Sequence, residues 1–310
     1  MYRSFLPVTI RADRWLPAKM NLEIIRTLQE KIVPTVFTPR GVYDGRKNLF
    51  TSRRLPLRDP GRKSQSFNVT LRPPYEIPAP RVYQVDIRLV GHVNPVTLKQ
   101  YCKGQISAVN DIVPSLAPLH LALQAKPKLS LPFYARSLLT DREVRPLGGG
   151  IELWRGYFQS IRPGVSSLLL NVDISTGAMY APGPMIQLCS QILGGQDPAT
   201  LTPGIGLSDR DCLKLQRFFS RARFIVVGRT HAGGGERRPK VIHRFTTQGA
   251  SSLRFTNQQG FETSVSEHFS SLGVTLSHPE CICVQTSAGA VYPIELCYII
   301  PGQLMRRSLP

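Results

Sequence analysis

Apolar positions along the first part of the chain switch between two spacings. Leu22, Ile25, Leu28 and Ile32 recur at helical intervals behind Asn21, a capping residue type, and Pro34 stops the run. Phe67, Val69 and Leu71 alternate with polar neighbours. Tyr83, Val85, Ile87 and Leu89 do the same, with Gln84, Asp86 and Arg88 facing away, so two strands are expected to pair. Arg72 to Pro80 between them is proline-rich and reads as a stiff, extended hairpin loop. Upstream, Asp44-Gly45 marks a turn leading into a short strand. After Pro95, Val96, Leu98 and Tyr101 predict a helix, and a second apolar stretch from Ile112 to Ala125 is expected to be broken by Pro114 and Pro118. Strands flanked by helices give an α+β class.

The tract Gly148-Gly149-Gly150 divides two differently composed halves and reads as a hinge. A phosphate loop needs a Lys-Ser/Thr pair opening a helix, whereas here Ile151-Glu152 leads into an apolar-aromatic run of strand character. Leu168, Leu170, Val172 and Ile174 alternate as a further strand. A short helix begins after Pro184 with Met185, Leu188, Ile192 and Leu193 apolar, and Gly194 to Gly206 forms a second boundary. Ser208 to Asp211 has the form of a capping box before a helix carrying Leu213, Leu215, Phe218 and Phe219. Strands dominate the remainder. Phe224 to Val227 precedes Gly233-Gly234-Gly235, Arg237 to Arg244 alternates bulk with positive charge, Phe255 ends a strand, Val265 to Phe269 forms a short helix, and Val291 to Cys297 closes the unit.

Charge changes the picture most. Among 310 residues, 39 Lys and Arg stand against 20 Asp and Glu, a net +19 that concentrates polyanions, nucleic acid foremost. No apolar run approaches the roughly 18 residues of a membrane span, and the N-terminus lacks a secretory pattern, so no membrane partner is expected. Six cysteines over this length are too sparse for a disulfide framework, which fits a reducing compartment. His278, Cys281, Cys283 and Cys297 lack the usual zinc-ligand spacing and read as buried thiols beside a histidine. His120 has no second ligand at helical spacing and reads as a packed or surface histidine. No clustered carboxylates, Ser-His-Asp or Cys-His pairing stands out, so neither catalytic residues nor metal, cofactor or enzymatic activity are expected.

Three stretches carry a resemblance. Tyr43-Asp44-Gly45-Arg46-Lys47-Asn48-Leu49 with Leu55-Pro56-Leu57 is similar to the Argonaute N domain; Pro146 to Gly150, Gly156 to Pro163 and Leu169 to Ser175 resemble the family's first linker; and Tyr292 to Gln303 resembles the end of its PAZ domain. The resemblance implies an N domain over 1–145, a first linker over 146–204 and a PAZ domain over 205–310, the last an OB-like β-barrel with a helical insertion. It further implies RNA-mediated gene silencing, with the PAZ domain holding the 3′ end of a small guide RNA in the cytoplasm or the nucleus. The partners implied are small single-stranded RNA or duplexes with a 3′ overhang, together with silencing-complex proteins. Unpaired terminal bases stack on aromatic faces while basic and hydroxyl groups hold the last phosphates and riboses, at roughly 1–3 kcal/mol per stacked base.

Carried over residue by residue, the implied 3′-end site is His231, Arg237, Arg238, Lys240, Phe255, His268 and Tyr292, with Pro293 beside Tyr292. Three positions depart from the family's pattern. Pro239 stands where a tyrosine usually follows the basic pair, His268 replaces a tyrosine but keeps a ring and a donor, and Ser270 to Gly273 lacks a second Tyr or His. A weaker or reshaped pocket is the consequence. Taken without the resemblance, Arg237 to Arg244 is a solvated edge and Phe255 and Tyr292 are barrel core. The match runs from about Asn21 to Pro310 and includes neither MID nor PIWI, so slicer activity is not expected and the sequence reads as a truncated product or partial gene model. Two alternatives are a non-catalytic protein competing for guides or partners, and a PAZ-containing accessory of a Dicer-like nuclease.

Overall fold

The computed structural model describes residues 4–12, 16–57, 64–71, 81–107, 109–134, 136–228, 239–256 and 260–305. Its backbone divides into two compact units, Met1–Leu138 with Tyr157–Asp173, and Leu139–Gly156 with Ile174–Pro310.

In the first unit, β1 (Ser4–Arg11) is followed by α1 (Ala18–Thr27), β2 (Val42–Tyr43), β3 (Asn48–Thr51), β4 (Ser64–Leu71), β5 (Arg81–Arg88) and β6 (Gly91–His92). The sheet runs β2-β3-β1-β5-β4, with β6 also on β1. The alternating strands pair as expected: Phe67 faces Val85 and Val69 faces Tyr83. Their inward side chains join Leu6, Val8, Ile24, Ile25 and Leu28 in one core. Asn21 is not the cap. The helix starts three residues earlier behind Pro17, and the Asn21 amide donates to the Gly45 carbonyl at 3.1 Å. The expected face is also interrupted by a wider π-type turn over Leu28–Ile32, which leaves Ile32 exposed. The loop 72–80 lies outside the described residues.

Next come α2 (Pro95–Cys102), α3 (Val113–Ala125) and the one-turn α4 (Pro127–Ser130). The expected break in α3 does not occur. Pro114 occupies the first turn, where a missing N–H costs nothing, and only Pro118 removes a bond from the interior. His120 is a packed residue, accepting at Nε2 from the Ile161 N–H at 2.9 Å.

The strands β7 (Phe133–Tyr134), β8 (Ser137–Gly148), β9 (Ile151–Pro163) and β10 (Leu168–Tyr180) form a sheet of order β10-β9-β8-β7. Gly148, Gly149 and Gly150 have φ of 81°, 54° and 74°, so the expected hinge is the tip of the β8–β9 hairpin. The alternation that predicted β10 did not foretell burial: β10 is an edge strand and Ile174 is 89% exposed.

The second unit continues with β11 (Gly183–Pro184), α5 (Met185–Ile192), α6 (Asp209–Phe218), β12 (Arg223–Val226), β13 (Lys240–Gly249), β14 (Arg254–Thr256), β15 (Glu262–Ser264), α7 (Val265–Ser271), β16 (Ile282–Thr286), β17 (Val291–Pro293) and β18 (Cys297–Ile299). Its sheet runs β11-β18-β12-β13-β16-β17, and the hairpin β14-β15 with α7 is inserted between β13 and β16. Strand and helix are mixed as expected, and among the described residues the six strands form an open path without a closing pair. Ser208 caps α6, accepting from Asp211 N at 3.2 Å, but Leu213 faces solvent while Leu215 and Phe219 are fully buried. Met185, Leu188 and Leu201 share their core with Leu215, Phe224, Ile242, Val284 and Ile299. A smaller cluster of Val265, Phe269, Val274, Leu276 and Cys283 seats α7. No helix among the described residues is long and apolar enough to cross a membrane.

Candidate nucleic-acid interface

A cavity of about 550 Å³ opens in the second unit, walled by β13, the β14-β15 hairpin with α7, and the β16–β17 turn. Phe255, His268 and Tyr292 all line it, with Arg244, Arg254 and Gln285. Two guanidiniums and an aromatic wall therefore share one concave surface, and among the described residues no carboxylate lines it.

Local structure explains the position of each ring. Arg254, Phe255 and Thr256 pair with Ser264, Thr263 and Glu262, so the hairpin holds Phe255 on the wall with 37% of its surface exposed. Ser264 then caps α7. Its hydroxyl accepts from Glu267 N at 3.1 Å while the Glu267 carboxylate accepts from Ser264 N at 2.7 Å. The bonds from Ser264, aided by Thr263 and by the Arg254 guanidinium, hold the Glu267 carboxyl below the usual carboxylate range. That cap sets the phase of the helix and brings His268 edge-on to Phe255, with ring centroids 5.4 Å apart and planes at 81°. Phe269, on the next position, turns inward to the core beneath.

Tyr292 is placed differently from a stacking platform. One side of its ring packs against Phe224 at 6.0 Å, and the Lys240 ammonium lies 5.1 Å from the ring centroid. Lys240 thus reaches the site only through Tyr292 and is not among the residues lining the cavity. Its cation is engaged by a ring face, an arrangement worth about 0.5–1 kcal/mol where solvent is near.

Family models match the chain twice: the N-terminal domain of argonaute over residues 2–125 and the Argonaute linker 1 domain over residues 133–181. The chain belongs to the Argonaute family. A crystal structure of Kluyveromyces polysporus Argonaute with a guide RNA shares its fold over 99% of this chain, at 15% identity and a TM-score of 0.54. This chain spans 35% of that Argonaute's length. Drosophila Piwi matches over 96% of this chain and 33% of its own at 16% identity, with a TM-score of 0.38. The PAZ domain of Drosophila Argonaute2 matches over 38% of this chain and 97% of its own at 22% identity, with a TM-score of 0.31.

Of the seven site residues that the Argonaute resemblance implies, the cavity gathers Phe255, His268 and Tyr292, and Lys240 stands behind Tyr292. His231, Arg237 and Arg238 lie outside the described residues. Pro293 is buried. Sequence reasoning missed Arg244, Arg254 and Gln285. Arg244 was visible as the last cation of the basic strand, and Arg254 as the neighbour of Phe255. Nothing in the sequence marked Gln285, whose role depends on strand register. The thiols of Cys281, Cys283 and Cys297 are buried, and desolvation pushes Cys281 up to about 11 and Cys283 up to about 12.

Proposed function

We propose that residues 205–310 are a PAZ domain and that the cavity holds the 3′ end of a small guide RNA in Argonaute-type silencing. Residues 1–145 and 146–204 act as its N domain and first linker. The single observation that carries the reading is the exposed face of Phe255 beside two guanidiniums in one cavity. A flat apolar surface with flanking cations suits a nucleotide: the base stacks and the phosphates meet charge. Its context agrees, since the chain carries +19, the closing stretch 292–303 resembles the family's PAZ terminus, and the related Kluyveromyces structure contains a guide RNA. Hydrolysis is not assigned to the cavity, because metal-assisted cleavage needs acidic ligands and none is among the described residues that line it. Stacking and phosphate contacts do not read base edges, so little sequence preference is expected.

The test compares a labelled RNA duplex bearing a two-nucleotide 3′ overhang with its blunt counterpart, using the full chain across a salt series. Tighter binding of the overhang, lost in Phe255→Ala by roughly five- to a hundredfold, is the expected result. Equal binding of both duplexes, abolished by salt and indifferent to Phe255, would leave only nonspecific attraction by net charge.

A further inference from the structure

One short chain of hydrogen bonds crosses the wall of the cavity. Arg244 Nε donates to Gln285 Oε1, and Gln285 Nε2 donates to the Gly289 carbonyl at 3.4 Å. The far end of this chain is firmly placed. Gly289 sits at φ 84° in the β16–β17 turn, where Gly289 N donates to Thr286 O and Thr286 N donates to Ala290 O, both at 2.9 Å.

Register explains why Arg244 faces the cavity at all. Ile242 pairs with Thr286 and Arg244 pairs with Gln285, so His243 is an extra residue on β13. In a regular strand Arg244 would share the inward face of Ile242, two positions earlier. The bulge resets the alternation: Arg244 turns outward opposite Gln285, and Phe245 takes the buried position.

With Nε tethered to Gln285 in the cavity wall, the two Nη groups of Arg244 remain as a pair of donors for a ligand oxygen. Among the described residues no carboxylate forms an ion pair with it. Lys240, by contrast, is engaged with Tyr292, and Pro239 offers no donor. We propose that Arg244 is the main phosphate-binding residue of the cavity, that Gln285 is its positioning residue, and that the ligand group is a backbone phosphodiester of the strand whose terminal base meets Phe255. The phosphate grip is thereby shifted along β13 from the position of Lys240 to that of Arg244. This inference rests on the RNA-end reading of the cavity.

The experiment uses the full chain, a 5′-labelled single-stranded oligoribonucleotide, and copies in which each of the last few linkages is replaced singly by an uncharged methylphosphonate. Arg244→Ala should weaken binding roughly tenfold and flatten the salt slope by about 0.7. Arg244→Lys should also lose affinity, since an ammonium cannot reproduce the fork. Gln285→Ala should weaken binding about threefold in the parent and have no effect in the Arg244→Lys background, a dependence that a purely structural role would not produce. One methylphosphonate should weaken the parent as much as Arg244→Ala does, and add nothing to that variant. Undiminished binding by Arg244→Ala, or an equal Gln285→Ala loss in both backgrounds, would overturn the assignment while Phe255-dependent binding persists. If the parent shows no Phe255-dependent binding, the RNA-end reading falls and this inference with it. The methylphosphonate series on the parent protein gives a result even where a variant fails to fold.

Discussion

Asp44 shows how much a single side chain can settle. One carboxylate oxygen accepts from Arg46 N, Lys47 N and Asn48 N at 2.7, 2.9 and 3.0 Å, and the other accepts from the Asn48 amide at 2.7 Å. Gly45 supplies the positive φ of 81° that the tight turn requires. The sequence announced a turn here through Asp-Gly, and the hydrogen bonds explain why Asn48 belongs to the same stretch. Asp44→Ala orphans three backbone donors beside a core that includes Tyr43 and Leu49. The expected cost is about 2 kcal/mol, read as a lower urea midpoint with unchanged slope. A midpoint within error of the parent would mean that water satisfies those donors equally well. Residue-scale chemistry at the cavity was less legible. Phe255 and Tyr292 could be named from the family pattern, but the bond between Arg244 and Gln285 needs a bulge that no composition or spacing encodes.

At the scale of elements, the inserted hairpin and helix place the aromatic wall, and their stability depends on one cap. Ser264→Ala removes the acceptor for Glu267 N, with an expected cost of about 1 kcal/mol. The paired carboxylate adds a pH signature of definite sign. Because the folded protein holds the Glu267 carboxyl low, chiefly through the Ser264 bonds, its contribution is present above the ordinary glutamate range and lost as pH falls through the folded value. Glu267→Gln keeps an acceptor without that charge. Urea midpoints of parent and variant should therefore differ at neutral pH and converge under acid. A difference that persists undiminished at low pH would show that the carboxylate's charge is irrelevant to the cap. The elements themselves were largely readable: period-two alternation gave β4 and β5, and the Ser-Asp-Arg-Asp pattern gave α6. Periodicity was misleading where proline chemistry intervened, since Pro114 at a first turn continues α3 and Pro17 starts α1 ahead of Asn21.

For the whole molecule, three glycines in a row and a change of composition suggested a joint at residue 148, yet the chain passes between its two compact units at 138/139, 156/157 and 173/174, within long strands. A sequence cannot separate a hairpin tip from a hinge when both need positive φ. The cysteines supply a probe that treats the two units separately. Cys102 belongs to the first unit and is only partly covered, whereas Cys189, Cys283 and Cys297 are buried in the second. Desolvation raises these three thiols, Cys283 to about 12, so both access and thiolate fraction suppress their reaction with an alkylating reagent at mild alkaline pH. Native protein should therefore label at Cys102 before Cys189, Cys283 and Cys297. The other three should follow only through opening of the core that holds Leu215, Phe224 and Ile299, or of the smaller one under α7. Added urea should accelerate their labelling and leave that of Cys102 nearly unchanged below the unfolding transition. If the RNA-end reading is right, a bound oligoribonucleotide stabilises the second unit by mass action and slows labelling at Cys283, behind the cavity, without protecting Cys102. Peptide mapping of the alkylated sites over time measures this directly. Labelling of Cys283 as rapid as that of Cys102 in the native protein would show that the wall behind the cavity is not closed.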